Sequence, residues 1–273
     1  MAVVNPRLRV LSLGAGVQST TMALMAANGE IGPMPDCAIF ADTGWEPKAV
    51  YDHLEWLTSD GVLPFQVHIV SIGNIKKDLL EGGVDGKRRF AAIPFFTEGG
   101  GMGRRQCTRE YKITPIEKKQ RALLGYLPRK RIPAGSSEVW IGISTDEAMR
   151  MRPARNTWQT NRWPLIERGM SRDDCLKWLD AKGYPRPPKS SCIGCPFHGN
   201  DLWRDMKENS PDDWADAVSV DKAIRSGGTL KGMTQAQFMH RSLKPLDEVD
   251  LSPKVKRGEP NLFINECEGI CGV

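Results

Sequence analysis

Hydrophobic residues in the first half of the chain form short apolar runs separated by amphipathic segments. Four runs predict strands, at Arg9–Leu13, Asp36–Ala41, Phe65–Ser71 and Val139–Ile143. Helices are predicted between the first three, at Thr20–Asn28 and Pro47–Thr58. This alternation predicts an α/β fold with a doubly wound parallel sheet, in which ligands bind beyond the carboxyl ends of the strands.

The second half is more polar and less regular. It contains four further helical patterns, at Thr114–Leu124, Ser171–Lys182, Asp201–Lys207 and Pro211–Ile224. Ser171 is expected to cap the second of these. The glycine-rich segment from Gly82 to Arg105 predicts a mobile loop over the site. We therefore expect a nucleotide-binding α/β domain over residues 1–165, and a helical, partly irregular region over 166–273 that bears cysteines and completes the site.

The segment from Arg9 to Ala26 indicates a buried strand, a turn with two glycines and a helix. Gly14 and Gly16 allow close approach of the backbone to an anion, and Ser19 and Thr20 place hydroxyls near the positive end of the helix. No lysine follows Gly16, and Ser19 stands where a dinucleotide motif has its third glycine. An anion-binding turn and a plain packing turn both remain open on this pattern.

Composition is that of a globular protein with a basic bias. The chain has 273 residues, 40% hydrophobic and 26% charged, and a net charge of +5. The sequence contains neither a membrane-spanning run nor a secretory signal, so a cytoplasmic location without membrane contact is expected. A cluster of basic residues suits a polyanionic ligand; it comprises Lys87, Arg88, Arg89, Arg104, Arg105, Arg109 and Lys112.

Seven cysteines in such a chain suggest metal or redox chemistry more than disulfides. Cys37 and Cys175 lie in apolar or helical patterns and are expected to be buried thiols. Cys192 and Cys195 form a Cys-x-x-Cys that suits a zinc half-site, an iron–sulfur half-site or a redox dithiol. Cys107 and one of the tail cysteines, Cys267 or Cys271, would complete four thiolates, and His198 is an alternative zinc ligand.

The second predicted strand is followed by Asp42, Thr43 and Gly44. One interpretation is a turn in which Asp42 caps the next helix. The other places Asp42 or Thr43 against the ribose or the adenine edge of a nucleotide.

Together these motifs resemble the phosphoadenylyl-sulfate (PAPS) reductase family of the PP-loop adenine-nucleotide α-hydrolase superfamily. The resemblance covers about residues 8–200 and rests on five motifs in order: Ser12–Ser19, Ala41–Glu46, Cys107–Pro115, Gly142–Arg150 and Cys192–Cys195. It implies a five-stranded parallel sheet with an adenine nucleotide as substrate. The implied nucleotide- or anion-binding residues are Ser12, Gly14, Ala15, Gly16, Gln18, Ser19, Thr20, Asp42, Thr43, Gly44, Arg104, Arg105, Arg109, Lys112 and Arg150.

The iron–sulfur-containing branch of this family implies a [4Fe-4S] cluster, with zinc as the alternative metal. Gln106-Cys107 replaces the branch's Cys-Cys pair, so the expected ligands are Cys107, Cys192, Cys195 and Cys271. Cys267, in a Glu-Cys pair like that of the reductases, is then the expected catalytic nucleophile. Gln18 stands where ATP-pyrophosphatase members have an aspartate, which also favours a reductase.

The leading hypothesis is an oxidoreductase that releases sulfite from an adenylyl sulfate, PAPS or APS, with a thioredoxin-like dithiol as reductant. One alternative is a PP-loop ATP pyrophosphatase, a sulfurtransferase that activates and thiolates a base in tRNA or DNA. A third is a non-catalytic nucleotide-binding subunit of a nucleic-acid modification system.

Overall fold

The computed structural model describes residues 5–81, 92–225 and 235–253. Its strands are β1 Leu8–Leu13, β2 Cys37–Asp42, β3 Gln66–Ser71, β4 Phe96–Thr97, β5 Ser137–Ile141, β6 Gln159–Arg162 and β7 Gln237–Phe238. Its α-helices are α1 Val17–Ala27, α2 Lys48–Thr58, α3 Ile75–Glu81, α4 Thr114–Leu123, α5 Pro164–Glu167, α6 Arg172–Ala181, α7 Asn200–Asn209 and α8 Pro211–Arg225. A π-helical segment covers Thr108–Ile113, and 3₁₀ turns cover Thr145–Arg150 and Leu246–Glu248.

Five strands form one parallel sheet in the order β3-β2-β1-β5-β6, which confirms the predicted fold class. β1 occupies the centre, and its residues are mostly apolar and almost all buried on both faces. The edge strand β6 has the sequence Gln-Thr-Asn-Arg and is only partly buried. A polar edge strand has no hydrophobic run, so the four predicted runs did not include it.

One face of the sheet is covered by α1, in which ten of the eleven residues are buried. α6 packs against α1, and Leu24, Leu165, Cys175 and Leu179 belong to one buried cluster. Helix α1 begins at Val17, three residues earlier than predicted. The division into domains at residue 165 stays a prediction, although α6 and α1 share this core.

The opposite face is covered by α4. Ile116 and Leu124 of this region pack with Val10 of β1 and Ile39 of β2 in a second buried cluster. Beyond β1, the same face of β5 and β6 borders the cavity described below. The helix therefore covers the centre of the sheet and leaves its β6 edge accessible to a ligand.

A separate core joins α3, α7 and α8 to the Cys-x-x-Cys segment. It includes Phe95 and Trp203, which are fully buried, and Ile193 between the two cysteines. Residues 82–91 of the predicted mobile loop lie outside the described residues, but 92–105 supply Ile93 and Phe95 to this core. Residues 92–105 are therefore anchored in this core, and the prediction of a mobile loop is wrong for them. None of the helices in the described part of the chain is long and apolar enough to cross a membrane.

Candidate functional site

The turn between β1 and α1 is buried over its whole length. Every residue from 11 to 20 is buried, and Ala15 adopts a left-handed conformation with φ of 56°. A non-glycine residue rarely takes this conformation, and such strain is concentrated at functional turns. The helix begins at Val17 after Gly16, so its first-turn N–H groups lie at the end of the loop, as the anion-site hypothesis requires.

The hydroxyls predicted to bind an anion have partners inside the loop. Ser19 Oγ accepts a hydrogen bond from the Gly14 N–H at 3.1 Å. Thr20 Oγ1 lies 3.1 Å from His53 Nε2, and Thr21 Oγ1 donates to the Val17 carbonyl. These contacts shape the turn. Binding of a ligand by these hydroxyls stays a prediction.

Gln18 links the turn to two distant segments. Its oxygen accepts a hydrogen bond from Arg172 Nη1 at 2.8 Å, and its amide nitrogen donates to Ser144 Oγ at 3.4 Å. Gln18 is fully buried and uncharged. Gly142, two residues before Ser144, lies so close that a Cβ there would be 3.0 Å from the Ser19 nitrogen. The end of β5 and the start of α1 therefore form one packed unit.

Asp42 is the last residue of β2 and Thr43 follows it, and the two side chains contact different groups. Asp42 Oδ1 accepts hydrogen bonds from the Gly44 N–H at 2.7 Å and from the Tyr51 hydroxyl at 2.8 Å. Burial and the bond to Asp42 raise the pKa of Tyr51 above its ordinary value. Asp42 thus stabilises the turn and ties it to α2. Its predicted contact with a nucleoside is untested by this geometry.

Thr43 belongs to a buried polar cluster that also contains Glu46, Lys112 and Cys192. Glu46 Oε1 lies 3.0 Å from Thr43 Oγ1, 3.6 Å from Lys112 Nζ and 3.5 Å from Cys192 Sγ. The Glu46 side chain is 1% exposed and that of Lys112 is 11% exposed. Lys112, predicted as part of an anion-binding rim, is here the partner of a buried carboxylate. Glu46 was not among the predicted site residues.

The Cys-x-x-Cys segment is held against the end of β2. The Ile193 N–H donates to the Trp45 carbonyl at 2.9 Å, and Cys192 Sγ lies 3.3 Å from Thr43 Oγ1. His198, the alternative zinc ligand, is buried with its Nε2 3.0 Å from Ser191 Oγ. This arrangement brings the motif to the carboxyl edge of the sheet.

The predicted metal site is only partly within the described residues. Cys107, Cys192 and Cys195 are partly buried, whereas Cys267 and Cys271 lie outside the described ranges. Over residues 5–81, 92–225 and 235–253, no three His, Cys, Asp or Glu side chains are grouped closely enough to hold a metal ion. The three described cysteines are therefore not arranged as cluster ligands in this part of the chain. The iron–sulfur cluster stays a prediction.

A cavity of about 690 Å³ lies on the α4 face of β5 and β6. Val139, Ile141 and Ile143 line its floor on the side of the sheet, and Ile116 of α4 lines the side of the helix. The loop between Arg150 and β6 forms the outer wall. The volume is in the ordinary range for a small-molecule site.

Arginines from separate segments line this cavity. Arg105, Arg109 and Arg150 were predicted as part of an anion-binding rim, and Arg152 and Arg155 join them. Glu117 is the one carboxylate among the lining residues, and it accepts from Arg109 at 3.4 Å and from Asn156 at 2.7 Å. The cavity is therefore strongly cationic. Arg104, also predicted, is exposed and is not among the lining residues.

Sequence reasoning missed the second half of this wall. Three arginines, Arg150, Arg152 and Arg155, fall within six residues at the end of the Gly142–Arg150 motif and just after it, a signal present in the sequence. Trp163 and Gln159 also line the cavity, but they depend on β6 pairing with β5, which no local pattern indicates. The positive wall was thus predictable in part, and the polar groups that β6 and Trp163 contribute were not.

Ser12 connects the β1 end of the site to this cavity. Ser12 is in register with Ile141, so the two side chains lie on the same face of the sheet. The Ser12 hydroxyl is buried and has no hydrogen-bond partner among the described residues. Ser12, a predicted nucleotide-binding residue, therefore has a hydroxyl without a described partner on the sheet face that borders the cavity.

Comparison with known proteins gives distant similarity to solved structures. No family model matches the chain, and no curated protein matches it. The chain is similar to a crystal structure of phosphoadenylyl-sulfate (PAPS) reductase from Candida auris in complex with phosphate. The two are 14% identical with a TM-score of 0.41, over 68% of this chain and 77% of that one.

Proposed function

We propose that this chain is a sulfonucleotide-reductase-like enzyme that binds an adenylyl sulfate, PAPS or APS, and releases sulfite. The observation that carries the proposal is the convergence of Arg105, Arg109 and Arg150 on one cavity with an apolar floor. An apolar floor suits the base and ribose of a nucleotide. Guanidinium groups suit its phosphate and sulfate oxygens, which they bind in pairs of charge-assisted hydrogen bonds.

The anion end of the substrate belongs at the carboxyl edge of the sheet. Arg150 follows β5 and pairs with Glu147 at 2.8 Å, which orients its guanidinium. Ile143 of the cavity floor directly follows Gly142, which packs on the first turn of α1. The arginine wall and the positive end of α1 therefore flank one region, where both favour an anion.

The reaction is a thiol-dependent transfer of the sulfo group. A cysteine thiolate, assigned to Cys267, attacks the sulfur of the adenylyl sulfate; the S–S bond forms, the S–O bond to the nucleotide breaks and the nucleotide phosphate leaves. One thiol of an external dithiol then attacks the cysteine sulfur and expels sulfite. Its second thiol closes a disulfide, which regenerates the cysteine and balances the two electrons gained by sulfur. A cationic wall favours the thiolate.

A [4Fe-4S] cluster, if held by Cys107, Cys192, Cys195 and Cys271 as the resemblance implies, would act by electrostatics and positioning beside the sulfo group. No step above depends on it. Gln18 supports the reductase hypothesis over an ATP pyrophosphatase, because an uncharged amide bonded to Arg172 and Ser144 does not offer a carboxylate for a metal–nucleotide complex.

The test is sulfite release from PAPS and from APS with thioredoxin as dithiol. We expect turnover with one of the two, loss of turnover in Cys267→Ser and retention in Cys37→Ala, whose thiol is buried in β2. Arg109→Met is expected to lower kcat/KM by about 10- to 100-fold, the effect of losing a charge-assisted hydrogen bond. The matched variant Arg131→Met changes an exposed arginine and serves as the control. Absence of sulfite with both substrates contradicts the proposal.

A further inference from the structure

The two edge strands of the parallel sheet differ in how they are protected against pairing with another chain. β6 has the polar sequence Gln-Thr-Asn-Arg, its Arg162 pairs with Glu167 at 2.7 Å, and Pro164 lies two residues beyond its end. Charged side chains and prolines are the features by which proteins keep an edge strand from recruiting a further strand. β3, at the other edge, has the sequence Gln-Val-His-Ile-Val-Ser, which contains neither an acidic or basic chain nor a proline.

The backbone of β3 is open on its outer side. β3 pairs in parallel with β2 over Gln66–Ser71, and in the described part of the chain no other strand pairs with it. Within the same described residues, the backbone of Gln66–Ser71 forms no other backbone hydrogen bond. An edge strand presents a row of unpaired N–H and C=O groups. β3 therefore offers these groups to one more strand.

The side chains of β3 are uncharged and partly apolar. Ile69, near the middle, is 57% exposed, although isoleucine is among the residues that are most often buried. Val67 and Val70 are only partly buried. Burial and the nearby Lys119 lower the pKa of His68, so its imidazole is neutral at pH 7. No charge on the strand opposes pairing at this pH.

We infer that β3 pairs antiparallel with β3 of a second copy of this chain, which joins two five-stranded sheets into one sheet of ten strands. Antiparallel edge strands related by a two-fold axis lie with the axis perpendicular to the sheet. With the axis at Ile69, this side chain faces its own copy, and its exposed apolar surface is buried. In the same register His68 faces Val70 of the second copy, and Val67 faces Ser71.

Self-complementarity favours a second copy over an unrelated strand. In a two-fold interface each residue must fit the same surface of its copy, and β3 places an isoleucine at the axis and no charge along its six residues. Asp60 precedes β3 and Lys77 follows it, and both are exposed. Antiparallel pairing places the segment before one strand beside the segment after the other. Opposite charges therefore lie at each end of the interface.

The inference is independent of the proposed function. The arginine-lined cavity borders β5 and β6, at the opposite edge of the sheet from β3. Both copies therefore keep the cavity accessible, and association does not require turnover.

The first experiment is sedimentation equilibrium of the full-length chain over a series of concentrations. Pairing through a single strand is a small interface, of the class below about 1,200 Å² of total buried area, so we expect a dimer with a Kd of about 10–100 µM. The series extends from about tenfold below to about tenfold above this range. A monomer at every concentration overturns the inference.

Variants test whether β3 forms the interface. Ile69→Lys places like charges against each other at the axis and is expected to raise the Kd at least about tenfold. Leu127→Lys, at a leucine that is 69% exposed after α4, is the matched control and should leave the Kd unchanged. Lys119→Gln is expected to lower the Kd about two- to fivefold, because it removes a positive charge that approaches its own copy on the α4 face. Thermal unfolding checks that the variants are folded. A dimer that Ile69→Lys leaves intact overturns the inference.

Cysteine substitutions test the register. Ile69→Cys places a thiol beside its copy at the axis, whereas the two copies of Gln66→Cys would be six residues of strand apart, about 20 Å. A short bismaleimide is expected to join two chains of Ile69→Cys. It should not join those of Gln66→Cys or of the unmodified chain, which shows the background from the seven native cysteines. Cross-linking above this background in Gln66→Cys, with none in Ile69→Cys, overturns the inferred pairing.

Discussion

His53 is the residue whose protonation most directly affects the turn before α1. It is buried, and its Nε2 lies 3.1 Å from Thr20 Oγ1. Burial lowers its pKa to about 4. The folded protein therefore holds a neutral imidazole at pH values where the unfolded chain already binds a proton, so the stability is full above pH 6.5 and falls between pH 6.5 and 4.

We expect the free energy of unfolding to drop on the order of 2 kcal/mol across this range from His53 alone. Denaturant titrations at a series of pH values measure it. His53→Gln should flatten the profile, whereas His68→Gln, on the edge strand β3, should keep most of the slope. A wild-type slope in His53→Gln contradicts the assignment.

Local residue roles were predictable where one residue decides them. The sequence analysis identified Ser171 as a helix cap, and it forms a capping box with Asp174. Cys37 was expected to be a buried thiol, and burial raises its pKa to about 11. The partners of Gln18 were not predictable, because Arg172 and Ser144 are more than 120 residues away.

At the scale of elements, the Cys-x-x-Cys segment depends on close packing at Gly194. A Cβ at Gly194 would lie 2.0 Å from a ring carbon of Trp45 and 2.9 Å from Met239 Cε. Trp45 cannot move freely, because its indole N–H donates to Asp216 at 2.7 Å. The glycine between the cysteines is therefore required by packing.

Gly194→Ala is expected to destabilise the protein by about 1–3 kcal/mol, the cost of overpacking a fixed site. Thermal unfolding measures the change. Gly99→Ala is the matched control, since its nearest neighbour is a flexible Gln235 side chain at 3.5 Å. Equal melting temperatures for the two variants would contradict the packing argument.

Elements with a hydrophobic pattern were predicted to within a few residues. β1, β2 and β3 were confirmed in this way, as were α2 and α6. β6 was missed because its residues are polar, and the π-helical segment at Thr108–Ile113 has no pattern that separates it from α4. The cavity was therefore the feature least accessible to prediction from the sequence, because β6 forms one side of it.

At the scale of the whole molecule, the cavity beside β5 and β6 is a concentration of positive charge. Five arginines and one glutamate line the cavity, whereas the net charge of the chain is +5. Charges in a site open to solvent are screened by salt. Binding of an anionic ligand there should therefore depend on ionic strength.

We expect AMP binding to weaken about tenfold between about 50 mM and about 500 mM KCl. Calorimetric titration over a salt series measures the slope. The double variant Arg152→Met/Arg155→Met should reduce it, and Arg131→Met should not. Salt-independent binding would place AMP outside the arginine-lined cavity.

The order of strands has a consequence for synthesis of the chain. β1 is made before β5, its partner strand, which follows more than a hundred residues later, and the hydrogen bond of Gln18 to Arg172 forms later still. Domains fold as they leave the ribosome, at about 5–20 residues per second. The nascent β1 and α1 therefore wait several seconds with their apolar surface uncovered, and this N-terminal segment is where chaperones are expected to bind.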